Sequence, residues 1–317
     1  MAIPSIADAH CDTLMLLVGD RPKGKSLTET LPGHLDLERL LTAGVGLQFF
    51  ALFTYPSNGP EVNLRRILEM IAQFHRSVEA SGGRLYPVLE AADVAPQGGR
   101  VGGLLAVEGM SAIGGSIEIL EVLHRLGVRS AMLTWNERNS LADGAMDQES
   151  SGGLSAEGKR VIAAMQRLKM ALDVSHLGER GFWDLLEISE GPVLASHSNV
   201  RALRNHPRNL TDEQIKALAA RGGVIGMNFY TEFLVDDGQA TLGHLLRHIR
   251  HIADLVGPQH VGLGSDFDGI SSAPDRLQTV ADYPNLREAL DAAGFTAEEA
   301  AGILGGNLRH ALETILG

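Results

Sequence analysis

The sequence predicts an α/β fold, a (β/α)8 or TIM barrel, on three observations. Eight short apolar runs alternate with helical patterns along nearly the whole chain. Most of these runs are continuous rather than alternating, as strands covered on both faces must be. Metal-ligand residue types recur where the runs end, and a barrel of this kind carries its chemistry at that end of its strands.

The runs are 4–10, 45–53, 101–108, 128–135, 170–176, 192–197, 223–229 and 261–266. Gly44, Gly127, Gly191 and Gly222 precede four of them, in the places of helix C-caps or short entry loops. Between the runs, residues 61–80, 116–126, 156–168, 179–187, 212–220 and 241–256 repeat apolar residues at spacings of three and four. That is the pattern of helices with one buried face. Thr211-Asp212-Glu213-Gln214 and Thr296-Ala297-Glu298-Glu299 read as capping boxes opening two helices. The tail after the eighth run is helical and is expected on the barrel's outside. Eight units favour closure, with an open doubly wound sheet as the alternative. No composition shift, repeat or low-complexity stretch divides the chain, so one domain spanning 1–317 is expected. Long connections at 19–34, 136–153 and 268–284 would lie at the chemical end as walls or lids.

Apolar residues make up 44% and charged residues 21%, ordinary for a soluble globular protein. A formal net charge of −12 disfavours nucleic acid or anionic membrane as partner, since both require a basic face. Cys11 is the single cysteine, so no intrachain disulfide forms, which fits a reducing compartment. The first residues lack a signal peptide's pattern, and no run nears the roughly 18 apolar residues of a membrane span. A cytoplasmic location follows as the expectation.

His10 and Asp12 close the first run, Glu108 the third, His176 the fifth and His197 the sixth. Imidazole and carboxylate ligands without thiolate suit zinc and similar divalent ions. His10-Cys11-Asp12 is an H-x-D, and residues two apart share one side of a strand. Alone that signal is weak; the partner positions strengthen it. Glu108 has two oxygens and could bridge two ions, with His176 and His197 completing the second. Two ions about 3.5–4 Å apart sharing a hydroxide form a standard hydrolytic arrangement. Asp266, in Gly264-Ser265-Asp266-Phe267-Asp268-Gly269, can accept a proton from the attacking water and return it to a leaving nitrogen. Asp268 is assigned the turn or a supporting role. His244, His248 and His251 share one helical face and are read as solvated rather than chelating. The glycine pairs 98–99 and 102–103 lack a P-loop lysine and form no G-x-G-x-x-G, and no G-x-S-x-G elbow is present. Cys11 is read as packing.

Asp8-Ala9-His10-Cys11-Asp12, Val107-Glu108-Gly109, Leu133-Thr134-Trp135-Asn136, Asp173-Val174-Ser175-His176, Ser196-His197-Ser198 and the Gly264–Gly269 segment occur in this order. With His206-Pro207-Arg208-Asn209-Leu210 and the stretch 223–230, they resemble the renal (membrane) dipeptidase family of zinc metallopeptidases nearly end to end. The resemblance implies an amidohydrolase-type barrel with two zinc ions, one on His10 and Asp12, the other on His176 and His197, with Glu108 bridging. Arg208 falls on the family's arginine for the dipeptide's terminal carboxylate, a task that suits a guanidinium fork. Tyr230 aligns with a pocket tyrosine. Family members hydrolyse dipeptides, many accept a D-residue at the C-terminal position, and they often dimerise. One departure stands out. The better-known members carry a histidine where this chain has Trp135, which can donate an indole N–H but cannot act as acid or base. Asn136, Arg138 or Asn139 would supply a substitute donor. The family's membrane forms also carry a secretion signal and a lipid-anchor signal; neither pattern is visible here.

The expected function is a zinc-dependent dipeptidase acting on free dipeptides, L-D as well as L-L. A binuclear hydrolase of another amide, an N-acyl amino acid or a lactone is the alternative. Trp135 motivates a third reading, a barrel that binds metal or ligand without catalysis.

Overall fold

The structure, a computed structural model, describes residues 5–20, 22–147 and 152–317. Pro4 of the first expected strand, Arg21, and 148–151 of the connection at 136–153 lie outside the described residues. Nine parallel strands form one sheet: β1 (Ile6–Asp8), β2 (Val45–Phe53), β3 (Leu85–Pro87), β4 (Val101–Glu108), β5 (Val128–Met132), β6 (Ala171–Asp173), β7 (Leu194–Ser198), β8 (Val224–Met227) and β9 (Val261–Leu263). Their order is β2-β1-β9-β8-β7-β6-β5-β4-β3, and β2 pairs back onto β4 from Leu47↔Gly102 to Phe53↔Glu108. That pairing closes an eight-stranded barrel. The extra strand, β3, holds only the first three residues of β4, and β5 continues along the same edge from Leu105. Three residues ending in a proline carry too little apolar pattern to show as a strand.

Strand faces alternate as a barrel demands. Leu47 and Phe49 of β2 and Leu104 and Ala106 of β4 join one buried cluster with Ala7, Ala171, Leu194 and Val224. Phe50, Leu52, Leu105 and Val107 belong to the larger cluster under the outer helices. Glu108 continues the inward series 104, 106, 108 and so arrives inside the barrel mouth.

Eleven α-helices occur among the described residues. They include α1 (Pro60–Ala80), α2 (Asp212–Ala220), α3 (Thr231–Leu234), α4 (Leu242–Val256), α5 (Tyr283–Ala292) and α6 (Asn307–Leu316). The capping box of Thr211 and Gln214 opens α2 with both reciprocal hydrogen bonds, and that of Thr296 and Glu299 does the same for the helix at Ala297–Ala301. The four glycines before strands all have positive φ, as helix exits require. Among the described residues no helix is long and apolar enough to cross a membrane.

Two expectations are corrected here. The C-terminal helix is not an outer element: Leu308, Ala311, Leu312 and Leu316 of α6 pack among the inward-facing strand residues and plug the barrel's N-terminal end. The interior below the ligands is small and apolar, so it requires an apolar stopper. The histidines of α4 are not a solvated face either. His244 caps the helix at Thr241, His251 pairs with Asp212 at 2.8 Å, and His248 is fully buried. His248 Nδ1 accepts the Val200 N–H at 3.1 Å, and its Nε2 lies 3.4 Å from the Leu234 carbonyl.

Burial holds the His248 pKa down at about 4, against 6.5 for a free imidazole. The unfolded chain therefore takes up a proton on acidification that the folded chain refuses. The contribution is fully present above about pH 6.5 and drains as pH falls towards 4, to a loss of about 3 kcal/mol. His248→Gln, which keeps a donor and an acceptor without titrating, should flatten the urea-midpoint profile across that window. Parallel profiles for both proteins would remove His248 from the account.

Candidate metal centre

Each ligand candidate reaches the barrel mouth by a different local device. Glu108 and His197 are strand residues of β4 and β7. His197 sits where the β7–β8 register slips between Ala195 and Ser198, an irregularity of the kind that re-aims a side chain. Gly264 lets the strands approach there, since a side chain at that position would overlap the Ser196 carbonyl. His10, Asp12, His176 and Asp266 lie beyond the strand ends, which stop at Asp8, Asp173 and Leu263, short of the expected 10, 176 and 266. At the rim, buried carboxylates replace the ladder. Asp8 accepts the N–H groups of His10 and Ser265 and the hydroxyls of Ser265 and Tyr283. Asp173 accepts the N–H groups of Ser175 and Ser196. His176 and Asp266 both adopt left-handed backbone, φ 65° and 62°. A non-glycine residue held there costs of order 1–3 kcal/mol and clusters at functional sites.

The five side chains converge. His10 Nε2 lies 3.4 Å from Asp12 Oδ2 and 3.2 Å from Glu108 Oε2. The other Glu108 oxygen, Oε1, lies 3.1 Å from His176 Nε2 and 3.9 Å from His197 Nε2. Glu108 thus divides its oxygens between two groups of ligands. His176 and His197 approach each other at 2.9 Å through their Nε2 atoms. His176 Nδ1 bonds the Asn136 side-chain oxygen at 2.8 Å, and Ser196 Oγ bonds His197 Nδ1 at 2.8 Å. With Nδ1 of His176 donating outward, its Nε2 lone pair faces the centre, the arrangement a ligating histidine needs.

The donor set fits divalent metal. His10, Glu108 and His197 form one group of close ligand atoms, and His10, Asp12 and Asp266 form another. His10 Nδ1 and Nε2, Asp12 Oδ1 and Glu108 Oε2 are buried without a hydrogen-bond partner, an arrangement that a cation at the mouth would satisfy. Burial, then Arg208 and His10, push His176 well below the ordinary imidazole range, and burial, then His10 and Arg208, do the same for His197, so both are neutral ligands at pH 7. Burial also opposes charge on His10, but Glu108 and Asp12 outweigh it and raise that group. Burial and the Glu108 charge lift Asp12 to about 6. Burial pushes Asp266 up to about 8, with His10 opposing and Asp12 and Glu108 adding. Asp266 Oδ1 lies 3.9 Å from His10 Nε2, while Oδ2 accepts the Asn228 amide at 2.8 Å.

A cavity of about 250 Å³ opens over these residues, lined by Asp12, Glu108, Trp135, His176, Arg208 and Asp266 among others. Larger hollows, of about 560 and 470 Å³, contain none of the five ligand candidates. At the small end of ligand pockets, roughly 300–1,000 Å³, the site admits a compact substrate.

The family model described as membrane dipeptidase, peptidase family M19, matches residues 2–315. The chain belongs to the membrane dipeptidase family. A curated relative, dipeptidase aclJ of Aspergillus oryzae, is 33% identical over 90% of this chain and 70% of its own length. A solved metallopeptidase named dipeptidase AC superposes with a TM-score of 0.91 at 31% identity, covering 99% of both chains. A metallopeptidase of Rhodobacter sphaeroides, liganded with a phosphinate mimic of the dipeptide L-Ala-D-Ala, gives 0.91 at 30% identity over 98% of both chains. As a member of the dipeptidase family this protein is a metal-dependent hydrolase of peptide bonds.

Within this dipeptidase fold, Arg208 is buried, its Nη2 donates to the His197 carbonyl at 3.1 Å, and its Nε has no partner. Burial lowers its pKa to about 10, with Asp266 and Glu108 opposing, so it stays charged at neutral pH. Tyr230 and Trp135 line the cavity. Asn136 lines the same cavity and gives its side-chain oxygen to His176. Arg138 and Asn139 are drawn away from the mouth: Arg138 pairs with Asp143 at 3.0 Å, and Asn139 bonds the backbone of Leu133, Leu141 and Ala142. Asp268 ties the connection at 19–34 to the mouth by accepting the His34 N–H, and its other oxygen accepts from Thr13 Oγ1. That connection is packed through Leu27 and Leu31, and its described residues line none of the cavity.

Sequence reading missed Asn228, which holds Asp266 and also accepts the Tyr230 N–H at 2.7 Å. Its place directly after β8, within the stretch 223–230, was the signal that pointed to the mouth. Asn136→Ala should weaken metal affinity by about 10–100-fold, the usual effect of removing a histidine's outer partner. Metal titration by calorimetry checks this, and unchanged affinity would make the contact incidental.

Proposed function

We propose that this protein is a zinc-dependent dipeptidase with two ions per chain, one on His10 and Asp12, the other on His176 and His197, with Glu108 shared between them. The division of Glu108's two oxygens between the two histidine groups carries this reading. Bound divalent ions would supply Lewis-acid polarisation of the scissile carbonyl and hydroxide at neutral pH.

The chain's own residues supply the rest. Arg208 holds the substrate's terminal carboxylate through the donors its single hydrogen bond leaves free. Tyr230 closes the same side of the cavity. Asp266, fixed by Asn228, receives the proton of the attacking water and passes it to the departing amine. The small cavity restricts the substrate to something of dipeptide size, with either an L- or a D-residue C-terminal to the scissile bond. The whole chain acts as one domain.

Amine release from free dipeptides, their C-terminal amides and N-acyl amino acids tests the reading. Cleavage of dipeptides, abolished by chelator and weakened at least about tenfold by amidating the carboxylate, is the expected result. Equal rates on the amides would remove Arg208 from carboxylate binding. Cleavage of N-acyl amino acids in preference to dipeptides would favour the alternative hydrolase.

A further inference from the structure

The cavity has a second wall that plays no part in metal binding, carboxylate capture or proton transfer. Phe53 ends β2, Tyr55 follows it, and Trp135 follows β5; all three line the cavity. Their rings form one cluster, with centroids 4.9 Å apart for Phe53 and Tyr55, 5.2 Å for Phe53 and Trp135, and 6.0 Å for Tyr55 and Trp135. These are the tilted and edge-to-face spacings that aromatic groups prefer. Phe53 is 8% exposed and Tyr55 52% exposed, so the cluster leads from a buried base to an open rim.

The barrel order sets where this wall stands. Around the closed ring the strands run β1, β2, β4, β5, β6, β7, β8, β9. In a ring of eight, β2 stands opposite β7, and β4, between β2 and β5, stands opposite β8. Arg208 lies on the segment after β7, and Tyr230 and Phe233 lie after β8. The aromatic wall therefore faces the guanidinium across the mouth, with Trp135 also reaching His176 at 6.1 Å between ring centroids.

We propose that Phe53, Tyr55 and Trp135 form the subsite for the side chain N-terminal to the scissile bond, selecting dipeptides that begin with an aromatic residue. The inference rests on the protein's being a dipeptidase whose Arg208 takes the substrate carboxylate. A dipeptide anchored there by its C-terminal residue must extend its N-terminal residue towards the opposite wall. Three adjoining rings offer that side chain a large apolar surface with edge and face positions, and no cation to pair an acidic one. Trp135 can pack and donate one indole N–H but cannot act as acid or base near neutral pH, so this position serves selection rather than proton transfer.

The test compares kcat/KM of the zinc-supplemented holoenzyme for Phe-Ala, Ala-Ala, Ala-Phe and Asp-Ala. Phe-Ala should exceed Ala-Ala and Asp-Ala by about tenfold or more, whereas Ala-Phe should show no comparable gain. In Trp135→Ala and Tyr55→Ala the ratio of Phe-Ala to Ala-Ala should fall to about threefold or less, chiefly through KM. Tyr55 is half-exposed, so its variant separates loss of the subsite from loss of folding. Equal rates for Phe-Ala and Ala-Ala, an aromatic preference confined to the C-terminal residue, or an unchanged ratio in both variants would overturn the subsite while leaving the dipeptidase standing. No cleavage of any dipeptide would overturn both.

Discussion

Asp266→Asn should lower kcat/KM by about 10³–10⁴-fold while leaving the metal content unchanged. The carboxylate sits at the mouth with its side chain 14% exposed, one oxygen towards His10 and the other held by Asn228. Burial pushes it above the ordinary carboxylate range, and a carboxyl group in reach of the attacking water can both accept and return a proton. An amide of the same shape still accepts the Asn228 hydrogen bond and still tolerates the left-handed backbone at φ 62°, so the fold is preserved. What it loses is the capacity to carry a proton. Steady-state kinetics with metal analysis on the same preparation separates the two. Near-normal turnover would remove Asp266 from proton transfer, and loss of metal together with activity would make it a ligand instead.

Glu108→Gln should have a comparable effect by a different route. One oxygen of Glu108 is 3.2 Å from His10 and the other 3.1 Å from His176, and a glutamine keeps only one acceptor oxygen and no charge. The variant should bind no more than one ion per chain and lose several kcal/mol of transition-state stabilisation, on the order of 10³ in rate. The residue lies within β4, continuing the inward series after Leu104 and Ala106, so the substitution leaves the strand's packing in place. Two ions per chain with near-normal turnover would show that Glu108 does not join the two ligand groups.

Much of this was legible in the sequence because it is locally encoded. Val45–Phe53 and Val101–Glu108 are strands at the expected bounds, since each is one long apolar run paired along most of its length with the other. Asp212–Ala220 is likewise a helix at the expected bounds, set by its capping box. The expected strands leading to His10 and His176 were overextended, because Asp8 and Asp173 capture the backbone N–H groups with their side chains and end the ladder early. Apolar pattern does not register that exchange. His248 was misplaced for a related reason: helical spacing says which residues share a face, but not which of them meets a buried amide such as that of Val200. Asn136 and Asn228 were ambiguous because an amide side chain serves a substrate, a ligand histidine or a catalytic acid equally well. Only its neighbour decides among them.

The sequence by itself determined the alternation of strand and helix, the chemical types at the strand ends and, through its motifs, the family. Each of these is a property of a residue and its near neighbours. Only the tertiary structure decided that β2 closes onto β4, that α6 plugs one end, and that Glu108 turns one oxygen to His10 and the other to His176. Only it set the aromatic wall across from Arg208. The physical reason is that these contacts join residues far apart along the chain. Their geometry is fixed by closing and packing the whole barrel, in which no short segment holds the information alone.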